Sequence, residues 1–154
     1  MPSFRPNVAF ILQNSAGEIL ICERSDAAGC WQFPQGGVKK DESLDQALSR
    51  EVEEELGLLP PQYRVLTTRG PYRYLFTDGY KKKNYDGQEQ HYFLAELTQA
   101  DAPIALDNAA EFRAIRWLPP ASYQLKWISP MKRNVYIGVF RDFFGVELQP
   151  AVDE

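Results

Sequence analysis

Runs of branched and aromatic residues recur along the chain between polar segments, and their lengths are typical of β-strands. The first two runs, Val8–Gln13 and Glu18–Glu23, flank a glycine-containing turn at residues 14–17, so they predict a β-hairpin. Later runs predict strands at Tyr63–Arg69, Tyr72–Thr77, Gln90–Leu97 and Phe112–Leu118. The intervening polar segments predict a structured loop at Ser25–Gly37 and further loops at Asp78–Gly87 and Thr98–Ala110.

Two segments have apolar side chains spaced three or four residues apart, which predicts amphipathic helices. The first is Ser43–Leu56, where Ser43 and Gln46 form a capping-box pattern and a glycine follows the last turn. The second is Pro130–Phe144, with Ser129 as the expected N-cap and again a glycine after the end. The order of strands, helix, strands, helix predicts an α/β domain whose mixed sheet is covered by helices.

Length and composition limit the class of protein. A chain of 154 residues fits a single domain, which we expect to span residues 1–154. With 44% hydrophobic and 25% charged residues, the composition is that of a globular protein and argues against a disordered or coiled-coil chain. The net charge of −4 argues against a generally basic nucleic-acid binder, and we expect no DNA partner.

Several residue types are too rare for some kinds of chemistry. His91 is the single histidine, which excludes zinc sites that need two. Cys22 and Cys30 are too few for a disulfide framework and suggest a reducing compartment. The longest apolar run, Val8–Leu12, is far shorter than a membrane span, and we see no targeting segment. We therefore predict a cytoplasmic protein without a membrane partner.

Acidic residues crowd the first predicted helix, and the helical geometry makes their positions informative. An apolar stripe is formed by Leu44, Leu48, Val52 and Leu56. At about 100° per residue, Glu51 and Glu55 lie at the edge of this stripe. Glu54 lies about one sixth of a turn beyond Glu51, whereas Glu53 points to the opposite, solvent side.

Acidic runs of this kind are usually solvated helix faces. Here, however, like charges three and four residues apart repel one another, and carboxylates in the second half of a helix oppose its dipole. A bound divalent cation would compensate this repulsion, and clustered carboxylate oxygens are ligands suited to Mg²⁺ or Mn²⁺. We therefore favour a metal site over a solvated face.

The same segment, residues 36–58, carries a more specific pattern. Its defined positions are Gly36, Glu42, Arg50, Glu51, Val52, Glu54, Glu55, Gly57 and Leu58. This spacing resembles the Nudix box at every defined position. The resemblance implies the Nudix fold, an α/β/α sandwich with a mixed sheet flanked by helices. It also implies metal-dependent hydrolysis of a diphosphate linked to another group.

For individual residues, the resemblance implies that Glu51, Glu54 and Glu55 bind metal ions or activate water. Hydrolysis of a pyrophosphate needs charge neutralisation and an in-line water, which carboxylates and bound metal ions supply together. Glu51 and Glu54 both remain candidates for the general base. The resemblance further implies that Glu42 and Arg50 pair and hold the loop and the helix in place.

Two further metal ligands follow from the resemblance. A backbone carbonyl of residues 35–37, which we assign to Gly36, often joins the metal ligands in this family. Glu111 matches an additional glutamate that lies across from the helix, although a surface acid is the simpler interpretation of that residue. Together with the helix carboxylates, these groups are expected to bind Mg²⁺ or Mn²⁺.

Segments outside the box narrow the resemblance to one branch of the family. The run Trp31–Gly37 leads directly into the box, residues 5–8 open the first strand and residues 131–136 begin the last helix. Together they resemble the bacterial RNA pyrophosphohydrolases and their dinucleoside polyphosphate hydrolase relatives, over residues 4–145. The implied substrate-binding residues are Arg5, Arg24, Gln35, Tyr74, Met131 and Lys132.

Within that set the expected roles differ. Arg5 and Lys132 are candidates for phosphate contacts, while Arg24 and Met131 would lie on either side of a base. Met131 occupies a position where the family pattern has an aromatic residue, and a thioether contacts a base less strongly. Tyr74 serves equally well as a groove residue or a core residue.

Other residues have a simpler interpretation. Trp31 and Phe33 fit loop packing as well as substrate contact, and His91 is more consistent with a structural role. The lysines at Lys81–Lys83 fit a solvated loop tip slightly better than a polyanion site.

The resemblance implies a pyrophosphohydrolase that converts the 5′-triphosphate end of RNA to a monophosphate. Asymmetric hydrolysis of dinucleoside polyphosphates such as diadenosine tetraphosphate is the close alternative. A non-catalytic Nudix-fold nucleotide-binding module fits less well, because all acids of the box are present. The expected partners are a nucleotide or 5′-triphosphorylated RNA, and the sequence leaves the oligomeric state open.

Overall fold

The structure is a computed structural model that describes residues 1–77, 84–106 and 111–151. The described strands are β1 Phe4–Gln13, β2 Ile19–Arg24, β3 Trp31–Gln32, β4 Gln35–Gly37, β5 Tyr63–Leu75, β6 Gly87–Leu97 and β7 Phe112–Leu118. The described α-helices are α1 Leu44–Leu56 and α2 Arg133–Phe144. Short 3-10 turns lie at Pro60–Gln62, Pro120–Ser122, Leu125–Trp127 and Pro130–Lys132.

The strands form a mixed sheet in which β1 is central. The main order is β3-β2-β1-β6-β5, with β4 also paired to β1 and β7 also paired to β2. β1 and β6 run parallel, and the other pairs are antiparallel. The pairing of Val8 with Gly36 brings the β4 segment next to the centre of the sheet, directly before α1.

Both faces of β1 are buried, and each face is covered by one helix. Val8, Phe10 and Leu12 pack in the cluster that includes the apolar residues of α1. The alternate residues Ala9 and Ile11 pack in the cluster that includes α2. Because successive side chains in a strand point to opposite faces, this double burial places the sheet between two helical layers. The predicted α/β/α sandwich with a mixed sheet is therefore confirmed.

The local signals around α1 agree with the structure. The Ser43 hydroxyl accepts a hydrogen bond from the Gln46 N–H, and the Gln46 side chain accepts one from the Ser43 N–H. This reciprocal capping box satisfies N–H groups that have no partner within the helix. Gly57 ends the helix in the left-handed conformation, with φ of 70°. The start and end of α1 are thus defined by its own sequence.

The structure corrects the prediction of two strands around Gly70–Pro71. β5 is a single strand from Tyr63 to Leu75, and its register against β6 shifts between Arg69 and Tyr72. β5 lies at the edge of the sheet, where a proline costs no ladder hydrogen bond and a bulge absorbs the irregularity. A glycine–proline pair therefore interrupts the register without ending the strand.

Other boundaries also differ from the prediction. β1 begins at Phe4 and β6 begins at Gly87, so both strands are longer than their apolar runs suggested. The structured loop at Ser25–Gly37 contains the short strands β3 and β4. The predicted loop residues 78–83, including Lys81–Lys83, and residues 107–110 lie outside the described residues.

The last helix begins later than predicted. Ser129 makes no side-chain capping hydrogen bond and precedes the 3-10 turn Pro130–Lys132, after which α2 starts at Arg133. Gly145 ends α2 with φ of 64°, as the sequence pattern predicts. Within the described parts of the chain, neither helix has the length and apolar character needed to cross a bilayer.

Phe33 ties the segment before α1 to the second helical layer. Its ring is 1% exposed and stacks on Tyr136 and Phe140, with ring centroids 5.4 and 5.8 Å apart. The Phe33 N–H donates a hydrogen bond of 3.0 Å to the Tyr136 hydroxyl. Of the two interpretations of this residue, the structure supports packing, and that packing fixes the segment leading to β4.

We expect Phe33→Ala to lower the free energy of unfolding by about 3–5 kcal/mol, because it opens a cavity in a closely packed aromatic cluster. Phe143→Ala is the matched control, since Phe143 lies on the same helical layer but is only half-buried. Phe143→Ala should lower the free energy of unfolding by less than half as much as Phe33→Ala. Chemical denaturation of both variants tests this, and equal losses would contradict the anchoring role of Phe33.

Candidate active site

Three carboxylates converge on one face of α1. Oxygen atoms of Glu51, Glu54 and Glu55 lie within 4.8 Å of one another. Glu55 is buried at 6% exposure, Glu51 is half-buried and Glu54 is exposed. Glu53 is exposed and does not belong to this group. The layout matches the helix angles predicted from the spacing of these residues.

Arg50 organises this face through its guanidinium. Nε and Nη2 donate to the two oxygens of Glu42 at 2.8 and 2.9 Å, and Nη2 also donates to the Gly37 carbonyl at 2.9 Å. Nη1 donates to Glu51 at 2.7 Å and makes a longer contact of 3.5 Å with Glu54. The predicted contact of Arg50 with Glu42 is present, and the same side chain reaches two box glutamates.

Glu42 is held at the other end of this bridge. One of its oxygens also accepts a hydrogen bond from the Lys39 N–H at 2.9 Å. The Arg50 hydrogen bonds, followed by that of Lys39, lower the pKa of Glu42 to about 2. Glu42 therefore stays ionised at neutral pH and joins the loop before α1 to the middle of the helix.

The two glycines of β4 provide the space that these side chains need. A side chain at Gly36 would overlap the carboxyl group of Glu51, and one at Gly37 would overlap the guanidinium of Arg5. A glycine lets the backbone approach a charged group at a distance that a Cβ would prevent. The Gly36 backbone therefore lies directly against the carboxylate cluster.

A polar cavity of about 290 Å³ opens beside these groups, and we call it the carboxylate cavity. It is lined by Arg5, Asn7, Arg24, Gln35, Gly36, Gly37, Glu51, Glu54, Glu55, Gln88 and Glu111. Burial raises the pKa of Glu51, against the opposing effect of Arg50, and the neighbouring charges of Glu54 and Glu111 raise it further. Glu111, which directly precedes β7, lines the same cavity as these carboxylates, which agrees with the position that the resemblance implies for it.

The residues present fit a divalent cation. Carboxylates within 4.8 Å repel one another by about 3–4 kcal/mol per pair at the effective dielectric near a protein surface, and by less where water screens them. Arg50 offsets part of this repulsion but is already shared with Glu42. Several hard oxygen donors beside an open backbone segment match the preferences of Mg²⁺ and Mn²⁺.

A second cavity of about 340 Å³ adjoins the first, and we call it the side cavity. Arg24, Gln35 and Gln88 line both cavities, so the two adjoin each other, and we call them together the groove. Of the predicted substrate-binding residues, Tyr74, Met131 and Lys132 line the side cavity, whereas Arg5 lines the carboxylate cavity. The fold therefore brings the whole predicted set together, although its members lie far apart in the sequence.

Tyr74 has both of the roles considered for it. It is buried at 7% exposure in the core cluster that includes α2, and it also lines the side cavity. Its hydroxyl accepts a hydrogen bond of 3.2 Å from Gln88. His91 is not among the described residues that line either cavity, which agrees with a structural role.

Buried amide side chains at the groove were missed by the sequence analysis. Gln90 donates hydrogen bonds to Asn7 at 3.0 Å and to Gln35 at 2.8 Å. Gln88 is 4% exposed and Gln90 is 3% exposed, although both are polar. The alternation of polar and apolar residues along this strand was the available signal, but the predicted strand began at Gln90 and did not include Gln88.

We expect Arg50→Lys to lower kcat/KM by about 10–100-fold, because an ammonium group cannot bridge Glu42, Gly37 and Glu51 at the same time. Arg64→Lys is the matched control, since Arg64 is an exposed residue that pairs with Glu96 away from the groove. Steady-state kinetics on a diphosphate substrate would measure both. A fully active Arg50→Lys enzyme would show that this bridge does not position the carboxylates.

Comparisons with known proteins agree with this geometry. The NUDIX domain family matches residues 3–137. The RNA pyrophosphohydrolase of Cellvibrio japonicus is 40% identical over 146 residues, covering 90% of this chain and 85% of that protein. The protein of the same name from Hahella chejuensis is 38% identical, covering 91% and 90%.

Solved structures show the same fold at low sequence identity. An Ap4A hydrolase from C. elegans superimposes with a TM-score of 0.65 at 19% identity, covering 90% of this chain and 98% of that one. The E. coli dihydroneopterin triphosphate pyrophosphohydrolase superimposes with a TM-score of 0.68 at 17% identity, covering 92% and 97%. The predicted Nudix fold is confirmed. This chain belongs to the Nudix hydrolase family.

Proposed function

We propose that this protein hydrolyses the 5′-triphosphate end of RNA to a monophosphate, releasing pyrophosphate. The observation that carries this proposal is the groove of two adjoining cavities, one lined by the carboxylates and the other by Arg24, Met131 and Lys132. Such a groove suits a substrate with a polyphosphate at one end and a nucleoside at the other. Relatives at 37–40% identity that carry the name RNA pyrophosphohydrolase support the same function.

Glu51, Glu54 and Glu55 would hold the metal ions, together with Glu111 and the backbone carbonyl of Gly36. A bound Mg²⁺ or Mn²⁺ would neutralise phosphate charge and lower the pKa of a water molecule. The chain itself contributes the positions of these groups. Arg50, fixed by Glu42 on the other side, prevents the carboxylates from turning away from one another.

We assign the general base to Glu54. The Glu51 carboxylate accepts a hydrogen bond of 2.7 Å from Arg50, which occupies one of its oxygens. Glu54 has only the longer 3.5 Å contact with the same guanidinium and is exposed to solvent at the cavity. A carboxylate with a free oxygen toward the water is better able to accept its proton.

The cations of the groove would draw the polyphosphate to a protein with a net charge of −4. Arg5 lies beside Gly37 at the carboxylate cavity, where it would contact the terminal phosphates. Lys132 lies at the side cavity, where it would contact the phosphates nearest the nucleoside. Arg24 and Met131 would hold the base between a guanidinium plane and a thioether.

Asymmetric hydrolysis of dinucleoside polyphosphates is the alternative that uses the same groups. The similarity to the C. elegans Ap4A hydrolase structure shows the fold alone, because the identity is 19%. A binding module without catalysis would not need its carboxylates within 4.8 Å of one another, and here they are so placed. The substrate therefore has to be decided by direct comparison.

Glu54→Gln should lower kcat by about 10²–10⁴-fold, since it removes the proton acceptor. Glu51→Gln should also abolish most turnover, because it removes a metal ligand. Glu53→Gln is the matched control on the same helix and should retain nearly full activity, because Glu53 lies outside the cluster. All three should fold, as circular dichroism can verify. Equal damage from Glu53→Gln and Glu54→Gln would contradict the site.

The function is tested by parallel assays on 5′-triphosphorylated RNA and on diadenosine tetraphosphate, each with Mg²⁺ and with Mn²⁺. We expect the higher kcat/KM on RNA, with monophosphorylated RNA and pyrophosphate as products and no turnover in excess EDTA. A preference for the dinucleotide by orders of magnitude would reverse the assignment.

A further inference from the structure

Arg24, which lines both cavities, is bound by a carboxylate in the same groove. Its Nε donates to Asp26 Oδ1 and its Nη2 donates to Asp26 Oδ2, each at 2.7 Å. This is the two-bond geometry that guanidinium and carboxylate groups form most strongly. Asp26 lines the side cavity together with Arg24 and Lys132. The side chain of Asp26 is 67% exposed, so it is accessible to a ligand that enters the side cavity.

The pair changes what Arg24 can recognise. Two of the five guanidinium N–H donors are used, and they are the two on the edge that includes Nε. The ionised pair has no net charge, because the hydrogen bonds from Arg24 and the nearby charge of Lys132 lower the pKa of Asp26. A phosphate at this point would meet a weakened attraction from Arg24 and the repulsion of Asp26.

The pairing with Asp26 uses the N–H edge of the Arg24 guanidinium and not its flat face. A guanidinium that is fixed in its plane by a carboxylate has less freedom to lose when a planar ring stacks on it. Cys30 and Met131, which line the same cavity, are uncharged and polarisable. The local chemistry at Arg24 therefore favours a planar, neutral group over an anion.

We propose that Asp26 is a specificity-determining residue, which makes the Arg24 side of the groove accept a nucleobase and disfavour a phosphate. This proposal rests on the proposed function of the groove. Asp26 thereby sets the direction of the substrate, with the base at the side cavity and the phosphates toward Arg5 and the carboxylates. A substrate bound the wrong way round would place no anhydride bond at the catalytic glutamates.

The test compares binding of inorganic triphosphate and of ATP by calorimetry in EDTA, where hydrolysis does not occur. In Asp26→Asn, Arg24 is freed to bind phosphate, so affinity for inorganic triphosphate should rise by about three- to tenfold. The increase should shrink at high salt. The ratio of ATP affinity to triphosphate affinity should fall. Asp101→Asn, an exposed change of the same charge, should leave both affinities within about twofold.

A second variant separates a local effect from a change of net charge. If Arg24 mediates the gain, Asp26→Asn in an Arg24→Gln background should bind triphosphate no more tightly than Arg24→Gln alone. An undiminished gain in that background, or no gain in Asp26→Asn itself, would overturn the proposal. Binding is measured without turnover, so an enzyme inactive on RNA would refute the proposed function and still report on Asp26.

Discussion

The Arg50 guanidinium donates hydrogen bonds in three directions, to the Glu42 carboxylate, the Gly37 carbonyl and the Glu51 carboxylate. These partners belong to the loop before α1, to β4 and to α1 itself. A site that concentrates negative charge on one helical turn needs a fixed cation to hold its members in register. Arg50 supplies this cation from the same helix, and most of its hydrogen bonds go to Glu42 and the Gly37 carbonyl, outside the carboxylate cluster.

The sheet holds the backbone segment that lies against the carboxylates of α1. β4 pairs with the central strand β1, which is buried on both faces, so Gly36 and Gly37 are attached to the core of the fold. Phe33 fixes the preceding residues in the aromatic cluster under α2. The backbone that lies against Glu51 is therefore held by packing, and the side chains of α1 are held by Arg50. Precision at the carboxylates comes from both layers together.

The groove combines two environments that one cavity could not supply. The carboxylate cavity is polar and negatively charged, whereas the side cavity adds aromatic, thioether and cationic groups. Arg24, Gln35 and Gln88 form the boundary between them, and Asp26 moderates the charge of Arg24 there. A polyanion carrying a flat, uncharged group at one end meets a matching gradient along this groove.

The sequence by itself determined the features that depend on short separations. The capping box at Ser43, the glycine ends of both helices and the angular order of the glutamates follow from helical geometry over a few residues. The spacing of residues 36–58 was also sufficient to recognise the family, because the site motif is continuous in the chain.

Tertiary structure decided everything that depends on pairing between distant segments. Gln88 and Gln90 lie beside the site because β6 pairs in parallel with β1. No local sequence pattern predicts that pairing. The bulged passage of β5 through Gly70–Pro71 was acceptable because β5 is an edge strand. The pair of Arg24 and Asp26 is local in the sequence, but it lines a cavity because Ser129 and the turn before α2 lie on the other side of that cavity. A residue's neighbours across a sheet are set by the fold, because burial and register are properties of the assembled chain.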